Sequence, residues 1–223
     1  MAKRVALIIG FGPGISFAFA DALINEGYAV AVASRNKEKL DSLSSKIGAI
    51  PFQADASSIE SLQELFRSVD SALGEPEVVL YNPSGRVRGE ITAIDPRLVA
   101  DALNVTAMGA FVSAQEAAKR MLPKKKGTIF FTGATAGVKA FPRSSSFAMG
   151  KFALRGLAQS LAKELAPEGI HVAHFVIDGG VKEQGSVDEF TAKNIAQSYL
   201  AVLKQPPGAW TWEMELRSKD EKF

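Results

Sequence analysis

A glycine-rich turn near the start of the chain has the residue types and spacing of a phosphate-binding loop. It reads Gly10-Phe11-Gly12-Pro13-Gly14-Ile15-Ser16 and lies between a short apolar run and a helical pattern. Glycines permit a tight turn, so phosphates can approach the free N–H groups and the positive dipole end of the following helix. The flanking strand and helix patterns favour this interpretation over a purely structural glycine turn. The sequence therefore predicts that Gly10, Gly12, Gly14 and Ile15 bind a dinucleotide.

The end of the second apolar run indicates which dinucleotide is bound. A cofactor with a free ribose 2′-hydroxyl is usually held by an acidic side chain at this point. This chain instead reads Ala33-Ser34-Arg35-Asn36, with no carboxylate before Glu38. The guanidinium of Arg35 can pair with a 2′-phosphate through two hydrogen bonds, and Ser34 can add a hydroxyl. We therefore predict NADP(H) as the cofactor; the alternative is that Arg35 is an ordinary surface residue ahead of a helix.

Several motifs, in chain order, resemble those of the short-chain dehydrogenase/reductase family. Gly10 and Gly14 match two glycines of that family's Thr-Gly-x-x-x-Gly-x-Gly turn, and Ser16 replaces the last one. The resemblance extends from about Lys3 to about Glu183. The further matches are Asp55-Ala56 for the adenine-contacting pair, Asn82 within Tyr81-Asn82-Pro83-Ser84 for Asn-Asn-Ala-Gly, Asn104 for the catalytic asparagine, and Lys151 for the lysine of Tyr-x-x-x-Lys. The resemblance implies that Asn104 and Lys151 are catalytic, that the other residues hold a nicotinamide cofactor, and that Lys151 also binds the ribose hydroxyls of that cofactor.

The two residues that handle the proton in this family are missing. The resemblance implies that a tyrosine phenol protonates the carbonyl oxygen as hydride arrives, while a serine orients that oxygen. The tyrosine position is Phe147 and the serine position is Ala134. Tyr81 is a possible substitute because it ends a strand at the carboxyl edge of the sheet, although packing under the cofactor is its simpler role. A substrate oxygen could also be oriented by Thr135, Ser144, Ser145 or Ser146.

The segment after the predicted sixth strand also departs from the family. Where the family has Pro-Gly followed by a hydrophobic residue and a threonine, this chain has Asp178-Gly179-Gly180-Val181-Lys182-Glu183. The resemblance implies that Val181 contacts the cofactor, whereas the threonine is absent. The stretch between Lys182 and Phe190 is short and leaves little material for a substrate lid.

Retained binding residues beside lost proton donors leave two hypotheses open. The first is an NADP(H)-binding oxidoreductase that acts on a small-molecule substrate without using the tyrosine, for example by reducing an activated C=C bond. The second is a catalytically inactive nucleotide-binding sensor or scaffold on the same fold.

Continuous apolar runs alternate with amphipathic stretches along the whole chain, which is typical of parallel strands covered by helices on both faces. This order predicts one domain over residues 1–223 with a Rossmann-like, doubly wound α/β fold and a seven-stranded, mainly parallel sheet. The predicted strands are Val5–Ile9, Ala29–Ala33, Ala49–Gln53, Val78–Tyr81, Thr128–Thr132, His171–Ile177 and Trp210–Leu216. The predicted helices are Ile15–Glu26, Lys37–Lys46, Ser58–Leu73, Leu98–Met121, Phe147–Leu165 and Val187–Leu203.

Composition argues against several classes of partner and site. The 26 basic and 24 acidic residues give a net charge of +2 without a basic patch for nucleic acid, and charges interrupt the apolar stretches that could span a membrane. The chain has no cysteine, so we expect neither disulfides nor thiol ligands, and a cytoplasmic location. His171 and His174 are three apart on a strand and point to opposite faces, so no metal site is predicted.

Small residues are frequent on the two long predicted helices, Leu98–Met121 and Phe147–Leu165. Such residues let helix backbones approach closely, and exposed apolar surface of this kind usually marks an interface. We therefore predict a homodimer through a two-fold four-helix contact, which the family resemblance also implies. A second contact through the Trp210–Leu216 strand, where Trp210 and Trp212 are predicted to share one face, would make a homotetramer. The alternative is that these helices pack only within the monomer.

Overall fold

Seven strands form one sheet in the computed structural model, which describes residues 4–221. Their order is β3-β2-β1-β4-β5-β6-β7, and every neighbouring pair is parallel. The strands are β1 (Val5–Ile9), β2 (Ala29–Ser34), β3 (Ile50–Gln53), β4 (Val78–Tyr81), β5 (Gly127–Thr132), β6 (Ile170–Asp178) and β7 (Glu213–Arg217). The predicted Rossmann-like fold is confirmed, with a sheet that is parallel throughout.

Helices cover both faces of this sheet. They are α1 (Ile15–Asn25), α2 (Lys37–Ser44), α3 (Ile59–Leu73), α4 (Pro96–Leu103), α5 (Gly109–Met121), α6 (Ser145–Leu165) and α7 (Ala192–Leu203). One apolar cluster joins the sheet to α3, α5 and α6, and a second joins it to α1, α2 and α7. Because both faces are covered, β1, β4 and β6 are buried along their whole length, which explains why β1 and β4 are continuously apolar and β6 is largely so.

Most predicted elements agree with the structure to within two residues at each end, and three depart from it further. The helix predicted from Val187 begins at Ala192, because the side chain of Thr191 accepts a hydrogen bond from the backbone N–H of Asn194 and caps it there. The predicted helix Leu98–Met121 is divided into α4 and α5 by a π-helical turn over Asn104–Met108. The last strand begins at Glu213, so Trp210 and Trp212 precede it and do not share a strand face.

The two histidines of β6 have structural partners. The His171 ring stacks on Trp210 with 4.9 Å between centroids, and its Nε2 lies 2.8 Å from the Thr211 carbonyl oxygen. The Nδ1 atom of His174 lies 3.0 Å from Glu213 Oε2, and burial lowers the pKa of His174 to about 4. Residues 4–221 contain no group of three or more potential metal ligands. In the same part of the chain, no helix is both long and apolar enough to cross a bilayer.

The strand order reverses between β1 and β4, because β2 and β3 lie on one side of β1 and the later strands lie on the other. In open α/β sheets, the carboxyl ends of the strands on either side of such a reversal border the ligand crevice. The glycine turn follows β1 and Asn82 follows β4. The fold therefore places both motifs at the same end of the sheet.

Candidate active site

The glycine turn is held by the ends of three strands. The backbone N–H groups of Gly10 and Phe11 both donate to the Ala33 carbonyl at 2.9 Å, which ties the turn to β2. The side-chain amide of Asn82, after β4, donates to the Gly10 carbonyl at 3.1 Å. Gly10 has a φ of +80°, and a Cβ built there would lie 2.7 Å from the Pro83 ring. Only glycine fits this position.

The second half of the turn presents open backbone. The hydroxyl of the buried Ser16, which stands where the related family has glycine, accepts the Gly12 N–H at 2.9 Å and so folds back into the turn. Gly14 is the N-cap of α1 and provides no side-chain cap, and a Cβ at Gly12 or Gly14 would meet no atom within 4 Å. Uncapped N–H groups at a helix start, facing free space, suit a phosphate group.

These two glycines allow a matched pair of substitutions. Gly10→Ala is expected to destabilise the fold by about 2–4 kcal/mol, because it combines a left-handed backbone with a steric clash. Gly12→Ala is expected to change the free energy of unfolding by less than about 1 kcal/mol and to weaken dinucleotide binding instead, because its Cβ would occupy the open space. Urea unfolding and ligand titration of both variants would check this. Equal stability of the two variants would contradict the structural role of Gly10 and the binding role of Gly12.

The end of β2 carries the residues predicted to select the cofactor. Ser34 is half-buried, and Arg35 is exposed next to it. The Gln53 side chain donates to the Arg35 carbonyl at 3.0 Å, whereas no hydrogen bond or ion pair within residues 4–221 engages the Arg35 guanidinium. Asp55 accepts hydrogen bonds from the backbone and hydroxyl of Ser57, which hold its pKa below the ordinary value, with a smaller contribution from the charge of Arg35. Ala56 follows at the same edge.

A cleft of about 910 Å³ opens beside the glycine turn, within the range of ligand pockets in proteins. Its walls come from the ends of the strands, the loop after β4 and the start of α6. The predicted residues that line it are Ile15, Asn82, Ala134, Thr135, Phe147 and Lys151. The structure therefore brings the retained lysine, both substituted positions and part of the glycine motif to one cleft.

Lys151 is a buried basic residue of this cleft. Its side chain is 2% exposed, and Nζ donates to the Thr132 carbonyl at 2.7 Å. Burial, together with the charge of Arg86, lowers the pKa of Lys151 to about 7. Phe147 lies one helical turn before Lys151 on α6, with its ring centroid 5.9 Å from Nζ. The lysine is thus in place, but neither Phe147 nor Ala134 has a hydroxyl that could exchange a proton.

Asn104, matched above to the catalytic asparagine, does not lie in the cleft. Its side chain is exposed at the start of the π-helical turn. Two residues later, Thr106 is fully buried, and its hydroxyl accepts the Gly85 N–H at 2.8 Å. A Cβ on Gly150 of α6 would lie 3.0 Å from Thr106, so this threonine packs directly against the helix that carries Lys151. The π-helical turn therefore orients Thr106 toward α6 and leaves Asn104 in solvent.

Two hydroxyls considered above, those of Tyr81 and Thr135, are already engaged. Tyr81 is completely buried, donates to the Val105 carbonyl and has a pKa raised by burial, so it cannot act as the proton donor. Thr135 donates to an Asp178 carboxylate oxygen at 2.5 Å. Tyr199 is buried between α7 and the sheet, with its hydroxyl 3.1 Å from that of Thr132. The structure therefore offers no tyrosine at the cleft within residues 4–221.

Backbone hydrogen bonds close the loop that follows β6. Lys182 donates its N–H to the Phe190 carbonyl at 3.0 Å, and Ala192 donates to the Lys182 carbonyl at 2.8 Å. Lys182 and Glu189 also form an ion pair across this loop. Val181 is half-buried against the apolar cluster beneath α1 and α7, and no residue from 182 to 191 lines the cleft.

The cleft is lined by three arginines that the sequence patterns do not predict as site residues. Arg86, Arg88 and Arg143 all line it, two of them from the loop after β4 and one from the segment before α6. The only signal in the sequence is the alternation Arg86-Val87-Arg88, in which Val87 exchanges backbone hydrogen bonds with the Ser146 hydroxyl while the arginines flank it.

Comparison with known sequences gives consistent matches. A family model described as short chain dehydrogenase matches residues 4–193. A short chain aldehyde dehydrogenase 1 from Euphorbia lathyris is 30% identical over 180 residues, which are 76% of this chain but only 61% of that protein. The chain therefore spans less than two thirds of that relative. An uncharacterized oxidoreductase from Staphylococcus aureus strain USA300 is 25% identical over 215 residues, covering 92% of this chain and 93% of that protein.

Solved structures agree with these sequence matches. A short-chain dehydrogenase from Rhodopseudomonas palustris superposes with a TM-score of 0.84 at 32% identity, covering 96% of this chain and 99% of that one. A metagenomic short-chain oxidoreductase in complex with NADP has a TM-score of 0.87 at 23% identity and covers 98% of both chains. The second likeness concerns the fold alone.

Proposed function

Because the chain belongs to the short-chain dehydrogenase/reductase family, whose members bind a nicotinamide cofactor, we propose that it is an NADP(H)-dependent oxidoreductase that works without a tyrosine acid. The observation that carries the proposal is the buried Lys151 in a cleft beside the glycine turn, with Phe147 and Ala134 at the two positions that would handle a proton. The chain retains groups suited to holding a cofactor and lacks the acid for ordinary carbonyl reduction.

The residues present suit the cofactor. The open N–H groups at the start of α1 would hold the pyrophosphate, with Gly12 and Gly14 giving it room. Lys151 has three N–H donors as an ammonium and uses one on Thr132, which leaves two for ribose hydroxyls. When bound, NADPH supplies hydride at the nicotinamide ring.

The substrate we propose is a small molecule with an activated C=C bond. Hydride addition to such a bond gives an enolate, which water can protonate, so a positioned phenol is unnecessary. Simple ketones lack this route, and the missing acid would cost them about 10²–10⁴-fold in rate. Asn82 acts indirectly, by bracing the glycine turn.

Steady-state NADPH oxidation with ketones, aldehydes and activated alkenes tests this proposal. We expect turnover with activated alkenes and little with simple ketones; brisk ketone reduction would contradict it. NADPH binding without turnover of any of these classes would favour the nucleotide-binding scaffold instead.

Cofactor preference follows from Arg35. We expect NADPH to bind more tightly than NADH, because the unengaged guanidinium can pair with the 2′-phosphate and no carboxylate at the end of β2 favours a free 2′-hydroxyl. Arg35→Ala should weaken NADPH by about 1.5–3 kcal/mol, or roughly 10–150-fold, and leave NADH nearly unchanged. Fluorescence titration measures both affinities, with Arg67→Ala on α3 as control. Tighter binding of NADH by the unmodified protein would refute the preference.

We also propose a homodimer formed through α4, α5 and α6. Large apolar side chains are exposed on these helices and on the π-helical turn between α4 and α5, and five of them are Leu98, Met108, Phe111, Met149 and Phe152. Isologous contact between two copies would cover this surface with a four-helix interface.

Light scattering is expected to give twice the chain mass of 23.8 kDa. A Phe111→Asp/Phe152→Asp variant should give a monomer, because two carboxylates per subunit would be buried without partners. Ile59→Asp, at an exposed apolar residue of α3, is the control and should remain dimeric. A monomeric unmodified protein would exclude this assembly.

A further inference from the structure

Four basic residues face the same cleft. Lys151 lies at its base, and Arg86, Arg88 and Arg143 line its walls. Arg143 is neutralised by Glu90, with 2.8 Å between Nη2 and Oε1. Arg86 and Arg88 are both exposed, and neither has a carboxylate within ion-pair distance among residues 4–221. The cleft therefore contains positive charge that the described protein does not balance.

Arg86 is held in this position by the ring that replaces the family's tyrosine. Its guanidinium carbon lies 3.9 Å from the centroid of Phe147, which is only 7% exposed. A guanidinium over an aromatic face gains cation–π attraction while its N–H donors at the ring's edge remain free for an oxyanion. The Phe147 ring therefore packs against an arginine, whereas a tyrosine at this position would donate a proton.

The cations also repel one another. Partial burial and the charge of Arg88 lower the pKa of Arg86, and the charge of Arg86 contributes to the lowered pKa of Lys151. Such mutual repulsion is unfavourable in the free protein and is relieved when an anion enters between the charges.

The carboxylates of the cleft do not supply that anion. Asp178 is paired with Arg217 and accepts the Thr135 hydroxyl. Glu221 is exposed at the rim and makes no ion pair with Arg86 or Arg88. The start of α6 adds a favourable field, because Ser144 lines the cleft and does not cap the helix with its side chain.

We propose that Arg86 and Arg88 form an anion subsite, so that the substrate carries a carboxylate or a phosphate near the carbon that is reduced. This inference rests on the proposed oxidoreductase function and specifies its substrate class. An acidic group conjugated or close to the reacting bond would be anchored by the arginines and held beside Lys151.

Calorimetric titration of the NADP⁺-loaded protein tests the subsite with two anions, glutarate and inorganic phosphate, and a neutral control, dimethyl glutarate. We expect at least one anion to bind and the ester not to bind. The Arg86→Gln/Arg88→Gln variant should lose about tenfold or more in affinity, the scale of one charge-assisted hydrogen bond. Arg67→Gln, in an exposed pair with Glu64 on α3, should bind as the unmodified protein does. Comparison of the two anions distinguishes a carboxylate from a phosphate subsite.

Two outcomes would overturn the inference: neither anion binds, or both bind equally well to the double variant. The exposed Arg88→Gln single variant, checked by its unfolding curve, gives the same decision if the double variant does not fold. Failure of the proposed function has a different signature, since NADPH itself would then not bind. In that case the same anions are titrated without cofactor into an Arg35→Gln protein. Loss of anion affinity on substitution of Arg86 and Arg88 would still support the subsite, and unchanged affinity would refute it.

Discussion

The Phe147→Tyr/Ala134→Ser double variant is expected to reduce simple ketones with NADPH about 10²-fold or more faster than the unmodified protein. A positioned acid contributes about 10²–10⁴-fold to such a reaction. The variant restores the phenol and the hydroxyl that orients the carbonyl oxygen, while Lys151 is already in place.

The geometry of the cleft favours this gain. Phe147 and Lys151 lie four residues apart on the same face of α6, so a hydroxyl on the ring would be added close to the ammonium group. Positive charge from Lys151 and from Arg86, which covers the ring, would lower the phenol pKa toward neutrality. Ala134 is half-buried at the end of β5 and lines the same cleft, so a serine hydroxyl there faces the substrate space.

Steady-state rates with a series of simple ketones measure the effect. Each single variant should reduce ketones much more slowly than the double variant, because the phenol and the orienting hydroxyl act on the same substrate oxygen. Phe141→Tyr, which adds a phenol to an exposed ring of the same cleft but not beside Lys151, is the matched control and should remain slow. If the double variant binds NADPH and stays as slow as the control, the cleft is not arranged for carbonyl reduction.

Much of the fold could be predicted because burial leaves a direct record in the sequence. The predicted bounds of Val5–Ile9 and Val78–Tyr81 are confirmed, since both strands lie inside the sheet and are buried at every position. The bounds of α7 and β7 could not be predicted in the same way. The segment before α7 contains apolar residues that fit a helical period, yet Thr191 caps the helix five residues later than predicted.

The place of a predicted site residue follows from the sequence where it depends on the order of the elements, and not where it depends on local helix geometry. Gly10, Asn82 and Lys151 follow from their places after β1, after β4 and on α6. The family resemblance identifies Asn104 within a pattern that predicts a regular helix. A π-helical turn changes the angular position of the residues within it, so the residue that packs on α6 is Thr106. Nothing in the sequence marks that turn.

The arginine pair shows a similar limit. Arg86 and Arg88 lie in a loop without periodicity, and a loop arginine is usually solvated. Their place in the cleft depends on the bonds between Val87 and Ser146 and on the Phe147 ring beneath Arg86. These contacts join segments about 60 residues apart in sequence, which no local pattern can indicate.

Burial of Lys151 has an energetic cost that a second variant should reveal. In the unfolded chain the lysine pKa is about 10.5, whereas in the fold it is about 7. Between these two pH values the unfolded state holds one more proton than the folded state, so stability rises with pH through this window. Below pH 7 the lysine is charged in both states, and burial of its ammonium group lowers the free energy of unfolding by roughly 5 kcal/mol.

Lys151→Met is therefore expected to stabilise the cofactor-free protein at pH 6 by about 2–4 kcal/mol, the full cost being offset in part by the hydrogen bond lost at the Thr132 carbonyl. The gain should shrink as pH rises above 7 and disappear above pH 10.5, because the lysine is then neutral in the unfolded chain as well as in the fold. Urea unfolding of both proteins at pH 6, 8 and 10 measures this difference.

Lys163→Met, at an exposed lysine on α6, is the control and should show no such trend. NADPH affinity should fall in Lys151→Met and not in the control, because the lysine's remaining donors suit the ribose. A Lys151→Met protein that is no more stable at pH 6 than at pH 10, relative to the unmodified chain, would show that the buried lysine carries no such cost.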